Sequence, residues 1–438
     1  MRQRTLDQES TVEVVTQHDL CSGCGTCAGI CPRDAISMVI DERKGAYLPK
    51  VRHDKCTKCG ICYATCPGHT VDLKALCQST FGDYPRDVLI GNYRECYIGH
   101  AADYKVRFNA SSGGLIPAIL VHALEEGIID GALVTRTSAE SPLEPQPFIA
   151  TTAKDIMSAS GAKYCPVPTN VAIKEILQNE GSYAVVGLPC QIHGLRKAEA
   201  IQKKLKDRVV LHLGIFCNHT PSFWATRLLL KRLAIEPRKV AKINYRGHGW
   251  PGAMTVQLND GSTKKLPEQD AWAFLGSDFF TSKRCLMCCD QTCELADISF
   301  GDPWNLGLPE GIGNSTVVAR TKKGQDLLEE ANAKGVLTIE PATVDQVKQS
   351  QLQMLYLKKK VLKARMKLYR TKVEIDADLI DPDASDYLLA LAPCFVNAVS
   401  QNSLARALVN RVPQRLLLLY TLPVNHLFYK KLQKFEVS

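Results

Sequence analysis

Short apolar runs alternate with helical stretches along the chain from about residue 100. Runs of strand length occupy residues 128–136, 182–190 and 209–217, and helical periodicity extends over residues 113–126, 170–178 and 221–233. Strands separated by helices predict an α/β domain with a mostly parallel sheet. In such sheets ligands bind beyond the carboxyl ends of the strands. Functional residues are therefore expected where these strands end.

Before residue 80 the pattern is different, because two cysteine runs flank short strands and a turn predicted over residues 35–51. Both runs have the form C-x2-C-x2-C-x3-C-P. In this motif three cysteines bind one 4Fe-4S cluster and the fourth binds the neighbouring cluster. The spacing predicts one cluster on Cys21, Cys24, Cys27 and Cys66, and a second on Cys56, Cys59, Cys62 and Cys31.

Glycines inside the two runs support clusters over zinc. Gly25 and Gly60 follow the second cysteine of each run, where a tightly curled backbone aims its N–H groups at the sulfurs. Zinc sites rarely use this spacing. Residues 1–80 are therefore predicted to form an α+β dicluster ferredoxin-like domain.

Composition places the chain among folded proteins that bury a sizeable core. It has 438 residues, 45% hydrophobic and 23% charged, with 18 cysteines and a net charge of +9. These values exclude a disordered chain and a small disulfide scaffold. The first residues contain no apolar signal segment, which favours a cytoplasmic protein whose clustered cysteines are metal or redox ligands.

Four further cysteines follow the α/β pattern. Cys190 and Cys217 lie where predicted strands end, and Cys285 and Cys288 form a C-x2-C pair. Taken alone, Cys190 and Cys217 could be small buried core residues. The C-x2-C pair is typical of both a third iron-sulfur cluster and a zinc site, so its spacing leaves the two open.

Several motifs resemble the beta-subunit family of coenzyme F420 hydrogenases and dehydrogenases over roughly residues 95–372. They are PCQIHGLRK, GIFC, RCLMCCDQTCELADISFGD and STVVARTKKG, preceded by ASSGG and GAKY. The resemblance implies an α/β domain with FAD and one 4Fe-4S cluster. It assigns Cys190, Cys217, Cys285 and Cys288 as ligands of that cluster. Together with the dicluster domain, this makes three 4Fe-4S clusters and one FAD.

Two cysteines, Cys289 and Cys293, depart from the family pattern. They are expected either to be spare buried thiols or to replace one of the four ligands. Another departure is the segment from Ser299 to Trp304, which lacks the glycine-rich stretch of F420-using members and makes Asp302 and Trp304 candidates for the substrate pocket.

Candidate flavin residues are fewer. Ser112, Gly113 and Gly114 open a predicted helix, whose N-terminus favours an anionic phosphate. Lys163 and Tyr164 match a G-x-K-Y segment of the family, where a lysine favours a phosphate or a reduced anionic flavin. A plain helix start and a surface lysine are the alternatives. The chain lacks a G-x-G-x-x-G fingerprint after a strand, which argues against a Rossmann-type NAD site.

The cofactor set predicts an oxidoreductase in which FAD exchanges a hydride with a partner such as coenzyme F420 and single electrons pass through the clusters. Electrons would travel to or from a ferredoxin or a partner redox subunit. One alternative is a ferredoxin-dependent reductase of an organic substrate, similar to the chlorophyll-pathway reductases. Another is a non-catalytic electron-relay subunit. His193 is either a proton relay or a structural histidine.

The C-terminal region, residues 373–438, is expected to be an acidic linker followed by a helical tail. Before it, residues 358–372 hold eight basic residues and no acidic one, and they read as a basic amphipathic helix with a solvated face. This helix does not favour nucleic-acid binding. The apolar run 416–429 is too short to span a bilayer, so peripheral membrane contact and packing against the core or a partner remain open.

Overall fold

The computed structural model describes residues 11–400, 402–409, 431, 432 and 435. In the N-terminal region the two cysteine runs flank an antiparallel hairpin, as expected. Its elements are α1 (Glu13–Gln17), α2 (Thr26–Gly29), β1 (Ile36–Asp41), β2 (Ala46–Val51), α3 (Ile61–Ala64), β3 (Thr70–Asp72) and α4 (Leu73–Phe81).

The remaining strands form a large central sheet, a small three-stranded sheet and one added strand. They are β4 (Glu95–Ala101), β5 (Gly131–Arg136), β6 (Gln146–Ala150), β7 (Tyr183–Gly187), β8 (Val209–Ile215), β9 (Val240–Asn244), β10 (Ala253–Leu258), β11 (Thr263–Pro267), β12 (Ile298–Gly301), β13 (Ser315–Ala319), β14 (Leu337–Ala342) and β15 (Glu374–Asp376). The strands expected over 128–136, 182–190 and 209–217 are β5, β7 and β8.

Helices cover both faces of the central sheet, and within the described residues four more helices follow its last strand in the chain. They are α5 (Tyr104–Asn109), α6 (Leu115–Glu125), α7 (Ala153–Ser158), α8 (Ile173–Gln178), α9 (Pro189–Ile201), α10 (Lys203–Arg208), α11 (Phe223–Arg232), α12 (Glu268–Leu275), α13 (Lys283–Leu286), α14 (Lys322–Ala333), α15 (Val344–Lys359), α16 (Leu362–Tyr369), α17 (Ala384–Ser400) and α18 (Ser403–Val409), with 3₁₀ turns at Thr169–Ala172, Pro237–Lys239 and Asp278–Phe280.

The central sheet has the strand order β14-β4-β13-β12-β8-β7-β5-β6. Strands β12, β8, β7 and β5 are parallel, whereas β13, β4, β14 and β6 run antiparallel to their neighbours. The expectation of a mostly parallel sheet was therefore wrong outside the centre. Strands β6 and β13 each follow the preceding strand through a loop without a helix, and such a return is antiparallel.

The ferredoxin-like region packs directly on the α/β domain. The Asn170 N–H donates to the Cys24 carbonyl at 3.0 Å. A Cβ at Gly29 would lie 2.0 Å from the Asn170 oxygen, and one at Gly194 would lie 2.4 Å from the Thr26 hydroxyl. Backbones approach this closely only where side chains are absent. The two regions therefore share one tightly packed interface.

Part of the expected linker belongs to the fold. Strand β15 pairs in parallel with β3 of the ferredoxin-like region, with Ile375 opposite Val71. Helix α17 begins at Ala384, eight residues after the last residue of β15. The acidic composition of residues 374–386 had suggested a solvated linker, but a backbone ladder forms regardless of side-chain charge.

The basic segment also differs from the expectation. It is split between the end of α15 and α16, and Lys358 and Lys359 at the end of α15 are buried. A solvated basic face was therefore wrong for these two lysines, because charge composition alone does not reveal buried partners. The apolar run 416–429 lies outside the described residues. Among the helices described here, none is long and apolar enough to cross a bilayer.

We predict that Gly29→Ala destabilises the protein by about 1–3 kcal/mol, the usual cost of forcing a methyl group into a packed site. Its Cβ would meet the Asn170 backbone. Ala64 occupies the equivalent position of the second cysteine run, so alanine is compatible with the motif itself. The matched control Ala64→Gly should cost about 1 kcal/mol or less. Anaerobic denaturant unfolding measures both, and a Gly29→Ala protein as stable as the wild type would contradict the interface.

Candidate iron-sulfur and flavin site

Group one comprises Cys21, Cys24, Cys27 and Cys66, the four cysteines predicted for the first cluster, and the structure brings them together. Burial raises the pKa of the Cys27 thiol, and the neighbouring Cys24, Cys21 and Cys66 raise it further. The Gly23 N–H donates to Cys21 Sγ at 3.4 Å, and the Gly68 N–H donates to Cys66 Sγ at 3.3 Å. N–H groups aimed at sulfur stabilise thiolate ligands.

Group two comprises Cys31, Cys56, Cys59 and Cys62, which line one small cavity. Burial raises the pKa of Cys62, and Cys59, Cys31 and Cys56 add to the shift. The Ala35 and Lys58 N–H groups donate to Cys31 Sγ and Cys56 Sγ, both at 3.4 Å. Cys59 is exposed. This group therefore lies at the protein surface.

The predicted glycine turns are present in both runs. Gly25 has φ +87° and Gly60 has φ +74°, and each immediately precedes a short helix that carries the third cysteine. These left-handed conformations are unfavourable for residues with a Cβ. At Gly25 a Cβ would also lie 2.7 Å from the Pro168 carbonyl oxygen.

Group three comprises Cys190, Cys217, Cys285 and Cys288. Cys190 is in the first turn of α9, after β7, and Cys217 follows the adjacent parallel strand β8, so both lie at carboxyl ends of neighbouring strands. Cys285 is in α13, with Cys288 after it. Burial is the largest cause of the raised pKa of Cys190. The negative charge of Cys24 in group one raises it further, and so do the other three members of group three. The predicted set is thus gathered at one place.

The two remaining cysteines of this region lie behind group three. A Cβ at Gly214 would lie 2.6 Å from Cys293 Sγ, so Cys293 packs against strand β8. Cys289 is buried near Lys359 and Glu294, whose side chains form an ion pair at 2.6 Å. The thiols that most raise the pKa of Cys190 are Cys24 and the other three members of group three, and neither Cys289 nor Cys293 is among them. Their positions fit spare buried thiols.

The three groups are arranged in series. Cys62 of group two contributes to the raised pKa of Cys27 in group one, and Cys24 of group one contributes to that of Cys190 in group three. Across the described ranges, no three His, Cys, Asp or Glu side chains are placed to share a single metal ion.

Buried cations beside the cysteine groups were missed by sequence reasoning. Lys358 Nζ donates to the Cys217 carbonyl and to the Asp290 carbonyl at 2.8 Å, and it lies 3.7 Å from Cys288 Sγ. Arg284 donates to the carbonyls of Pro67 and Gly68 at 2.7 and 2.9 Å, which ties group one to the C-x2-C turn. Such charges offset the negative charge of gathered thiolates.

A cavity of about 1090 Å³ opens beside group three. Ser112, Gly114, Lys163 and Tyr164, four of the predicted flavin residues, line it. Gly113 does not line the cavity, because its N–H donates to Ser315 Oγ at 2.9 Å and its Cα faces the Gly99 carbonyl. The glycine pair thus has two roles, sheet contact at Gly113 and a left-handed turn into α6 at Gly114.

Lys163 is held by its own turn. Its Nζ donates to the carbonyls of Ala159, Ser160 and Gly161, the last at 2.9 Å, and burial lowers its pKa to about 8. It is partly buried in the cavity wall, so the surface-lysine alternative does not hold. The nearby Ser160 hydroxyl is buried without a hydrogen-bond partner in the described part of the chain. A polar ligand would satisfy that group.

Arg246 and Asp302 complete the wall near Tyr164. The Arg246 guanidinium donates to both Asp302 oxygens at 2.7 and 2.9 Å and to the Tyr164 hydroxyl at 3.5 Å. Trp304 lies 5.3 Å from the Arg246 guanidinium. Asp302 and Trp304 therefore lie at the cavity, as expected, whereas Arg246 had no sequence signal because its partner is 56 residues away.

The residues after Cys190 are structural. His193 Nε2 accepts the Asp72 N–H at 3.2 Å. Burial keeps the pKa of His193 well below its usual value, and the positive charges of Lys197 and Arg284 lower it further. Gln191 donates to Thr169 Oγ1 at 2.8 Å. These contacts join α9 to β3 of the ferredoxin-like region and to the 3₁₀ turn Thr169–Ala172, so the structural alternative for His193 is favoured over a proton relay.

Comparison with known families matches this organisation. Residues 20–70 match a 4Fe-4S dicluster domain, which confirms the predicted N-terminal dicluster. Residues 96–174 and 181–345 match the N-terminal and C-terminal parts of the coenzyme F420 hydrogenase/dehydrogenase beta subunit.

Individual relatives agree with the family match. The coenzyme F420 hydrogenase subunit beta of Methanothermobacter thermautotrophicus is 29% identical, over 60% of this chain and 88% of that protein. The protein of the same name from Methanococcus voltae is 30% identical, over 59% and 87%. A chain of the F420-reducing [NiFe] hydrogenase complex from Methanosarcina barkeri superposes with a TM-score of 0.52 and 26% identity, covering 64% of this chain and 94% of that one.

We predict that Cys217→Ala lowers the iron content from about 12 to about 8 atoms per chain, because one of three four-iron clusters loses a ligand. Cys293→Ala is the matched control, since Cys293 is buried nearby but does not line the cavity, and it should keep about 12 iron atoms. Iron and sulfide assays on anaerobically purified protein measure this. Loss of iron in Cys293→Ala with retention in Cys217→Ala would show that the ligand set is different.

Proposed function

The chain belongs to the coenzyme F420 hydrogenase/dehydrogenase beta-subunit family, and on that premise we propose that it is an iron-sulfur flavoprotein oxidoreductase. In this proposal the cavity beside group three exchanges a hydride with a two-electron partner such as coenzyme F420. Groups one, two and three hold three 4Fe-4S clusters that carry single electrons to or from a ferredoxin or partner subunit.

The serial arrangement of the cysteine groups carries this proposal. Group two is at the surface, group one neighbours it, and group three neighbours group one and lines the large cavity. In this arrangement electrons would enter or leave at group two on the surface, and the two-electron chemistry would take place at the cavity beside group three. Relatives named as hydrogenase subunits support a role beside other redox subunits.

The residues present fit FAD. When bound, FAD would supply the conversion between a two-electron hydride step and single-electron transfer. The α6 N-terminus, introduced by Gly114, would attract the pyrophosphate, with the Ser112 hydroxyl beside it. Lys163 would add positive charge, and the unpartnered Ser160 hydroxyl would offer a hydrogen bond.

Other wall residues shape the cavity without taking part in chemistry. The Arg246–Asp302 ion pair fixes the Tyr164 hydroxyl, and the Tyr164 ring packs edge-on against Trp272 at 5.3 Å. Aromatic walls exclude water from the ring system of a bound ligand, which strengthens polar contacts within the cavity. Trp272 and Phe279 line the same space.

The surface at group two favours an acidic redox partner. Lys55 and Lys58 are exposed beside the exposed Cys59, and Arg33 is exposed nearby, whereas the exposed Arg52 pairs with Asp54 at 3.1 Å. Clustered positive charge steers acidic proteins toward a docking face. A ferredoxin-dependent reductase would receive electrons at the same face instead of releasing them there. A pure relay subunit would differ only in lacking a functional flavin.

Flavin content with donor tests separates these alternatives. We expect one FAD per chain, with absorbance changes of both flavin and clusters when reduced coenzyme F420 is added without oxygen. Reduction only by reduced ferredoxin would favour the ferredoxin-dependent reductase. Absence of flavin in protein that retains its iron would contradict the flavoprotein proposal and leave an electron-relay subunit.

We predict that the double change Lys55→Glu and Lys58→Glu slows electron transfer to an acidic two-cluster ferredoxin by about tenfold at low salt, because electrostatic steering is lost. Lys204→Glu changes the charge of an exposed lysine on α10 and is the control. Stopped-flow rates at increasing salt provide the measurement. Equal rates for the wild type and the double variant at low salt would place the docking face elsewhere.

We predict that FAD affinity of flavin-depleted protein falls as pH rises above about 8, because burial lowers the Lys163 pKa to about 8 and the ammonium loses its proton there. Below that pH the charge is present and affinity is constant. Lys163→Arg keeps its charge, so its affinity should stay level across the same pH range. Fluorescence titrations test this, and an identical alkaline loss in Lys163→Arg would exclude Lys163 as its cause.

A further inference from the structure

One wall of the cavity is built by segments beyond the family match, which ends at residue 345. We call it the C-terminal wall, and it consists of Leu357, Leu389, Ala392, Phe395, Val396 and Val399, all of which line the cavity. Five of these residues are on α17, at spacings that place them along one helical stripe. The wall presents an apolar surface to the cavity.

The C-terminal wall is anchored by polar contacts. Asn397 of α17 is buried, and its Nδ2 donates to the Thr281 carbonyl at 2.6 Å. The Tyr369 hydroxyl of α16 donates to Asn397 Oδ1 at 3.0 Å and to the Cys394 carbonyl at 3.3 Å. Helix α17 is therefore fixed over the cavity by contacts to two separate segments.

Arg365 of α16 brings to this wall a buried positive charge that makes no ion pair with a described carboxylate, although Asp278 lines the same cavity. It lines the cavity, is 5% exposed, and its Nε has no hydrogen-bond partner in the described part of the chain. No carboxylate of the described residues lies within ion-pair distance of it, although Asp278 is close enough to act against the pKa-lowering effect of burial. A buried guanidinium whose Nε lacks a hydrogen-bond partner and that makes no ion pair is costly, which points to a missing anion.

The other cations around the cavity are already engaged. Lys358 Nζ is bound to two carbonyls beside group three, and Lys163 Nζ to three carbonyls of its own turn. The Arg246 guanidinium is paired with Asp302. Arg365 is thus the cation at the C-terminal wall that is left for a ligand, as far as the described residues show.

We propose that Arg365 and the C-terminal wall form a binding site for an organic carboxylate with an apolar body. A planar guanidinium fork matches the two oxygens of a carboxylate. A single cation balances one negative charge, which fits a carboxylate better than a doubly charged phosphate. The apolar side chains of α17 would cover the hydrocarbon part.

The size and position of the cavity agree with a second ligand. Its 1090 Å³ is slightly above the roughly 300–1,000 Å³ usual for one ligand. Cys285 of group three lines the same cavity, so a bound acid would share the space that borders the proposed third cluster. Binding at this wall does not depend on electron transfer, and it can be measured separately from the proposed function.

The probes are 2-naphthoate and its neutral analogue 2-naphthamide, titrated by calorimetry into anaerobic holoprotein. We expect the acid to bind and the amide to bind about tenfold or more weakly, as expected for loss of a charge-assisted hydrogen bond. Arg365→Gln should weaken naphthoate binding by about the same factor. Lys367→Gln, which removes an exposed positive charge two residues further along α16, should leave it unchanged.

Ala392→Trp provides a second variant that keeps Arg365 and fills the apolar wall. It should abolish naphthoate binding while iron and flavin contents stay at wild-type values. The proposal would be overturned by equal binding of acid and amide, by unchanged binding in Arg365→Gln or Ala392→Trp, or by no binding of naphthoate to the wild type. These results would leave the electron-transfer proposal untouched, because that proposal is tested through cofactor content and reduction.

Discussion

Close contact of the first cysteine run with the 3₁₀ turn Thr169–Ala172 and with α9 is the constraint on which the rest of the structure depends. Gly29 and Gly194 have no side chain at the two points where a Cβ would collide with the opposite segment. The Asn170 N–H holds the Cys24 carbonyl in the same contact. As a result Cys24 lies beside Cys190, and the ferredoxin-like region joins the third cysteine group. A looser interface would separate the two.

Bringing the twelve cysteines of groups one, two and three together concentrates negative charge when the thiols are deprotonated. Buried cations of the fold lie beside them and offset this charge. Lys197 lies between the carbonyls of Cys66 and Thr70 and pairs with Asp72 at 3.2 Å. Lys358 performs the corresponding role beside group three. Buried charges of this kind are tolerated only with polar partners. The contacts of Lys358 also explain why the end of α15, which looks like part of a solvated basic segment in the sequence, packs into the protein.

Local patterns predicted the parts of the molecule that depend on local chemistry. The cysteine spacing identified the dicluster domain, and apolar runs located β5, β7 and β8. Contacts between distant segments left no local trace. The pairing of β15 with β3, the antiparallel flanks of the sheet and the Arg246–Asp302 pair each join residues far apart in the chain. Gly113 was ambiguous for another reason. A glycine pair at a helix start is typical both of a phosphate-binding turn and of close contact with a sheet, and the Gly113 N–H in fact donates to Ser315 of β13.

The central claim is that three neighbouring clusters connect the surface to the cavity. Electron paramagnetic resonance of the fully reduced protein tests it most directly, because neighbouring paramagnetic clusters broaden one another's signals. The account predicts about three spins per chain, one for each reduced 4Fe-4S cluster, with signals broadened by mutual coupling. About two coupled spins, or a third signal with no sign of coupling, would contradict a continuous path from group two to group three.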